Sequence, residues 1–517
     1  MNSQKDLLRL LTQKIERQQW VCLFTGMVAG IITHLYMLTN KLPNWDDITV
    51  FQGYGVGREH GRWLIPKIHS WGSDWSVPAL NGMIMIIFLA IGACFILAAL
   101  ELKTVTSAVL LPVIMLTFPG VTSSMTFMYV THVYGIGLCI GCIGAWLIQR
   151  FRYGFIPGIV LLILCLGTYQ SFICLMAGVL VLALVFQLFR GKELSQVLKQ
   201  GIVSLASLLV SMGLYVFISK YVIGGMSDYK GVSNMGQLEL GKIPLQIARA
   251  YKRILEYFIT DPWSYVSARG RELNLLIVGC IVAGFFLLLW RLRIYREKGR
   301  AALLCILIIL FPLALSSIYI LAPEANATTL TVYQYFMVYV VLIGFLELFM
   351  QTGELFAKVF WVKPIVGSLL MGMIFLVGYD NYVLANDAYF RMNIAFTRIH
   401  SFYERLYIRI SDTEGYQYGD PIAILGDWWP ERNILSAYGM DIERYEEFEG
   451  VAMENGLFTT HVRQYFMRDY LGVTHEEVSP EKISELFHSE EFWEMSEYPA
   501  EGCVRKIDGV WVIRVAD

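Results

Sequence analysis

A chain of 517 residues that is 56% hydrophobic and only 16% charged is not a soluble domain, because soluble domains carry roughly 25% charged residues. Its 41 Lys and Arg against 43 Asp and Glu leave no basic excess with which to hold nucleic acid. A single globular core, a disordered chain and a DNA-binding protein are excluded, and the composition is that of a polytopic helical membrane protein.

Crossing a hydrocarbon core of about 30 Å takes roughly 20 apolar helical residues. On that measure the sequence predicts eleven crossings, over 20–39, 79–100, 104–120, 132–149, 155–170, 171–189, 202–224, 273–290, 301–321, 333–350 and 364–383. The first run is long and lacks a small-residue cleavage site, so it is expected to stay as a helix. Residues 155–189 are too long for one crossing, and the polar Thr168-Tyr169-Gln170-Ser171 divides them. Eight of the nine cysteines lie in apolar stretches and only Cys503 in a polar one, so no disulfide framework is expected. Cys139 and Cys142 form a C-x-x-C in an uncharged helix, which reads as small-residue packing.

Orientation follows from Lys and Arg. With the N-terminus inside, the inner segments hold 17 of them in 64 residues and the outer segments 11 in 112. That asymmetry places the C-terminus outside. The expected organisation is a cytoplasmic segment 1–19, a transmembrane domain 20–383 with outer loops 40–78 and 225–271, and an extracytoplasmic α+β domain 384–517. In the loop 225–271, Leu245, Ala248, Tyr251, Leu255 and Phe258 recur at helical spacing, the pattern of a helix lying in the membrane interface. In the C-terminal domain, Pro421–Gly426 and Val510–Val515 read as strands.

The residues with chemistry concentrate in the outer loop 40–78. Asp46 and Asp47 follow the first helix closely, and a carboxylate partly withdrawn from water suits a general base. The same pair also fits a solvated loop or a helix N-terminus. Arg58, Glu59, His60 and Arg62 come next, flanked by Gly57 and Gly61, and two guanidinium groups on a glycine-hinged segment suit bidentate phosphate binding. Arg near an interface also anchors lipid headgroups. His132, Tyr134, Tyr169, Gln170 and Ser171 are polar residues at the membrane edge, where such groups line cavities or bond neighbouring helices. No ligand cluster calls for a metal, and no cofactor is indicated. The aromatic Asp427-Trp-Trp-Pro430 suits either sugar stacking or packing.

Four stretches together carry a family likeness: Asn44-Trp-Asp-Asp47, Gly61-Arg-Trp63, Thr168-Tyr-Gln-Ser171, and the run Asn386–Ile410 leading into Pro421–Gly426. In these the chain resembles the GT-C superfamily of membrane glycosyltransferases, and within it the Gtr-type glucosyltransferases that modify bacterial O-antigen. The resemblance implies a GT-C-like fold in a bacterial cytoplasmic membrane. It also implies a sugar donor linked to undecaprenyl phosphate and a polysaccharide or lipid-linked oligosaccharide as acceptor. Asp46 and Asp47 then take the base position, Arg58, Glu59 and Arg62 become candidates for the donor phosphate or sugar, and Tyr169 and Gln170 for the donor cavity. Two readings from other classes compete, a flippase of lipid-linked sugars and a non-catalytic scaffold of envelope assembly. The first predicts polar residues at the bilayer midplane and related halves; here polarity gathers at the outer edge.

Overall fold

The computed structural model describes residues 15–49, 57, 60–73, 75–224, 240–260, 268–321, 328–351, 362–426 and 460–515. The helices in chain order are α1 (Arg17–Thr39), α2 (Trp45–Thr49), α3 (Pro78–Ala99), α4 (Val105–Thr117), α5 (Pro119–Thr126), α6 (Met128–Arg150), α7 (Phe155–Leu166), α8 (Phe172–Phe189) and α9 (Leu194–Phe217). They continue as α10 (Ile243–Leu255), α11 (Ala268–Arg291), α12 (Lys298–Leu315), α13 (Met337–Gln351) and α14 (Val362–Ser411). Strand β1 (Ile422–Leu425), helices α15 (Thr460–Leu471) and α16 (Pro480–Phe487), and strands β2 (Val504–Ile507) and β3 (Val510–Arg514) complete the described chain.

Among the described residues nine helices are long and apolar enough to cross a membrane, or ten if α4 and α5 form one bent span. The bend of 44° between α4 and α5 has a local cause. Phe118 precedes Pro119 and takes an extended conformation (ψ 140°), because the proline ring disfavours helical geometry in the residue before it. The expected crossing at 155–170 is α7, a helix of 12 residues. It ends where Thr168 begins the polar turn, too short to span a bilayer by length alone.

The chain divides into two compact units, one formed by residues 1–40 and 55–386, the other by 41–54 and 387–517. In the first, glycines let helices approach closely. A Cβ on Gly135 of α6 would lie 2.8 Å from the backbone of Met85 on α3. The Cys139–Cys142 pair is buried beside Gly92 of α3, where a Cβ would make ordinary contact with the Cys142 sulfur at 3.5 Å. A buried carboxylate, Glu347 of α13, holds the start of α4 by accepting from the Thr104 and Ser107 hydroxyls at 2.9 and 2.6 Å. Helix α10 is present where the helical spacing in the loop 225–271 predicted a helix. Gln246, Ala250 and Ile254 are buried, while Leu245 and Leu255 of the predicted stripe are exposed.

In the second unit, β3 lies between β1, to which it is parallel, and β2, to which it is antiparallel. The β2–β3 hairpin turns on Asp508 and Gly509 at φ of 46° and 84°, the positive angles a two-residue hairpin turn needs. Ala423, Leu425, Leu486, Phe492 and Val512 lie in the sheet's apolar core. Arg463 of α15, almost fully buried, donates to the Ile424 and Gly426 carbonyls at 2.6 and 2.9 Å and so ties α15 to the end of β1. Phe396 and Tyr403 of α14 meet Phe466 of α15 in ring contacts of 6.1 and 5.2 Å.

Candidate functional site

The second unit holds the Asp pair. Asn44 caps α2: its side-chain oxygen accepts from the backbone N–H of Asp46 and of Asp47, each at 3.0 Å. Both carboxylates therefore sit in the first turn of a helix, where the unpaired N–H groups favour negative charge. Of the two openings the sequence left, loop or helix N-terminus, the chain takes the second, with Asn44 as the cap. Asp47 is fully buried, Asp46 half-buried. The Lys41 ammonium lies 3.8 Å from the Asp47 carboxylate. Burial holds that ammonium below its usual pKa, and the Asp47 charge opposes the shift. Helix α2 packs on α15.

The first unit brings together three of the other predicted residues. The Arg62 guanidinium lies over the Tyr169 ring, 4.6 Å from its centroid, a distance at which the ring face attracts a cation. Gln170, beside it in the turn between α7 and α8, donates from its amide to the His60 carbonyl at 2.6 Å and to the Tyr215 hydroxyl at 2.9 Å. The Tyr215 hydroxyl in turn donates to the Gly61 carbonyl at 3.0 Å. The backbone closes the same joint, with the Leu64 N–H bonded to the Gly167 carbonyl at 2.9 Å. The Trp63 indole covers Gly167, where a Cβ would meet the ring at 2.8 Å. Gly57 and Gly61, at φ of 79° and 77°, supply the left-handed backbone that this tight path requires.

Around this joint the aromatic rings continue. Tyr134 lies 5.4 Å from Tyr169, and Phe172 lies 5.2 Å from it. His132, fully buried, bonds the His69 carbonyl through Nε2 at 3.1 Å. The arrangement presents one guanidinium, fixed on an aromatic face and backed by a neutral hydrogen-bonded latch, which is chemistry suited to an anionic group attached to an apolar or sugar moiety.

Arg58, Glu59 and Asp427–Pro430 lie outside the described residues. Sequence reasoning missed Tyr215. Its signal was present as a stripe on α9: Ser204, Ser207, Ser211 and Tyr215 are all buried, while Ile202, Leu205 and Leu209 are exposed. A membrane helix with its polar stripe inside has something to bond there. Among the described residues no group of three or more His, Cys, Asp or Glu is placed to hold a metal ion.

A family model described as Glucosyl transferase GtrII matches residues 35–345. That match, well over half of the chain, includes Asp46, Asp47, Arg62, Tyr169, Gln170 and Tyr215. Comparison with curated proteins and with solved structures returned no match.

Proposed function

The chain belongs to the GtrII glucosyl transferase family and is a membrane glycosyltransferase, and from that premise we propose that it moves a hexose, glucose by family, from a polyprenyl-phosphate carrier. The acceptor is a hydroxyl of a surface polysaccharide such as O-antigen, reached on the outer face of a bacterial cytoplasmic membrane. Transfer is a single displacement with inversion. The acceptor oxygen bonds to the anomeric carbon as the bond to the phosphate oxygen breaks. Asp46 or Asp47 takes the acceptor proton. The polyprenyl phosphate leaves with its negative charge balanced by arginine, for which Arg62 is the described candidate and Arg58 a second. Glu59 is a candidate for a sugar hydroxyl, and Tyr169 and Gln170 for the wall of the donor site.

The observation that carries this reading is the burial of Asp47 inside the family-matched stretch. A buried carboxylate is expensive to keep, and carboxylates kept in such surroundings are frequent at catalytic sites. The purified protein, given a short-chain polyprenyl-phosphate glucose, should transfer glucose to an acceptor saccharide with inverted anomeric configuration. Transfer from a nucleotide sugar instead, or retention of configuration, would overturn the assignment of donor and mechanism.

A further inference from the structure

The Asp46–Asp47 helix is folded as part of the C-terminal unit, since residues 41–54 group with 387–517 and α2 packs on α15. One side chain of α15 is poorly explained by packing alone. The Tyr470 ring stacks on Phe466 at 5.2 Å with the planes 11° apart, and Phe396 meets its edge at 5.8 Å. Its hydroxyl oxygen is buried and has no hydrogen-bond partner among the described residues. Burying a hydroxyl unpaired is unfavourable, and a phenylalanine would fill the same stack without that penalty. Burial first, and the Asp47 charge next, push the phenol's pKa well above its ordinary value. The proton therefore stays on Tyr470, and the hydroxyl remains a donor on the helix against which α2 packs.

Resting on the assignment of Asp47 as general base, we propose that Tyr470 is a positioning residue of the transfer reaction. When substrate is bound, its hydroxyl donates to the Asp47 carboxylate and orients the oxygen that takes the acceptor proton. Tyr470 lies beyond the stretch that the family model matches, residues 35–345. The C-terminal domain is on this account a working part of the catalyst.

The test uses the full chain, purified and reconstituted, with short-chain polyprenyl-phosphate glucose as donor. Tyr470→Phe, Asp47→Asn and the double variant are compared by kcat, donor KM and melting temperature. Tyr470→Phe should keep the melting temperature and the donor KM while kcat falls roughly 10- to 100-fold, the range expected when a catalytic group is misplaced. In the Asp47→Asn background the second change should not lower the residual single-turnover rate further, because the two residues act as one unit. Wild-type kcat for Tyr470→Phe beside an inactive Asp47→Asn would overturn the proposal and leave the base assignment standing. Wild-type kcat for Asp47→Asn would overturn the proposal and leave Asp46 as the candidate base. A raised donor KM or a lowered melting temperature with kcat intact would reduce Tyr470 to packing.

Discussion

The Tyr215 hydroxyl donates to the Gly61 carbonyl at 3.0 Å while accepting from the Gln170 amide at 2.9 Å. This single oxygen joins helix α9, the turn after α7 and the backbone next to Arg62. Tyr215→Phe leaves the Gly61 carbonyl without its buried donor. The expected loss of stability is about 1–3 kcal/mol, accompanied by a raised donor KM because Arg62 follows Gly61 directly. Thermal melts and donor titrations of the purified variant check both, and a lower melting point with unchanged KM would make the bridge purely structural.

Arg62 itself separates two readings. As a phosphate ligand it offers two parallel N–H donors, which Lys cannot reproduce. Arg62→Lys should therefore raise donor KM at constant net charge. Arg62→Ala should cost more, on the order of 2–5 kcal/mol if the contact is well desolvated. If Lys serves as well as Arg, the residue anchors lipid headgroups instead.

Glu347 is expected to matter for folding and not for transfer. It accepts from the Lys103 and Thr104 N–H groups at 2.8 and 3.2 Å as well as from the two hydroxyls, so its charge serves the unpaired first turn of α4. Glu347→Gln should lower stability by about 1.5–3 kcal/mol and leave kcat/KM per folded molecule unchanged. Lost activity at undiminished stability would place Glu347 in the reaction.

The charge asymmetry of the loops predicts an inner N-terminus and an outer C-terminal domain. Reporter fusions after Gln351 and after Asp387 should report inside and outside respectively. The reverse pair, or one side for both, would contradict the orientation.

Much of the helical architecture was legible because a membrane span must be a long apolar run. Length failed at α7, where the four-residue polar turn takes up the sequence that a full crossing needs. Helix α10 was legible from its helical spacing, but the face it turns to the protein was not, because Gln246 and Ala250 carry little apolar signal. Strands β1 and β3 stood out as continuous apolar runs. Strand β2 did not, since Arg505 and Lys506 occupy its centre, although Asp508-Gly509 marked its hairpin. Arg62, Tyr169 and Gln170 were each visible as motif residues, but only the folded chain joins them through Tyr215. Similarly, Asp47 follows α1 closely in sequence, and nothing in that nearness shows that its helix packs on α15, far along the chain. Contacts between segments so distant leave no periodic trace in a single sequence.

The central claim is that a carboxylate of the Asp46–Asp47 pair removes the acceptor proton. Its most direct test is the single-turnover rate of glucose transfer from short-chain polyprenyl-phosphate glucose by Asp46→Asn and Asp47→Asn, each confirmed as folded and membrane-inserted. The account predicts that at least one amide variant binds donor normally and loses transfer by a factor of about 10²–10⁴, the usual worth of general-base catalysis. Wild-type transfer rates from both single variants would contradict it.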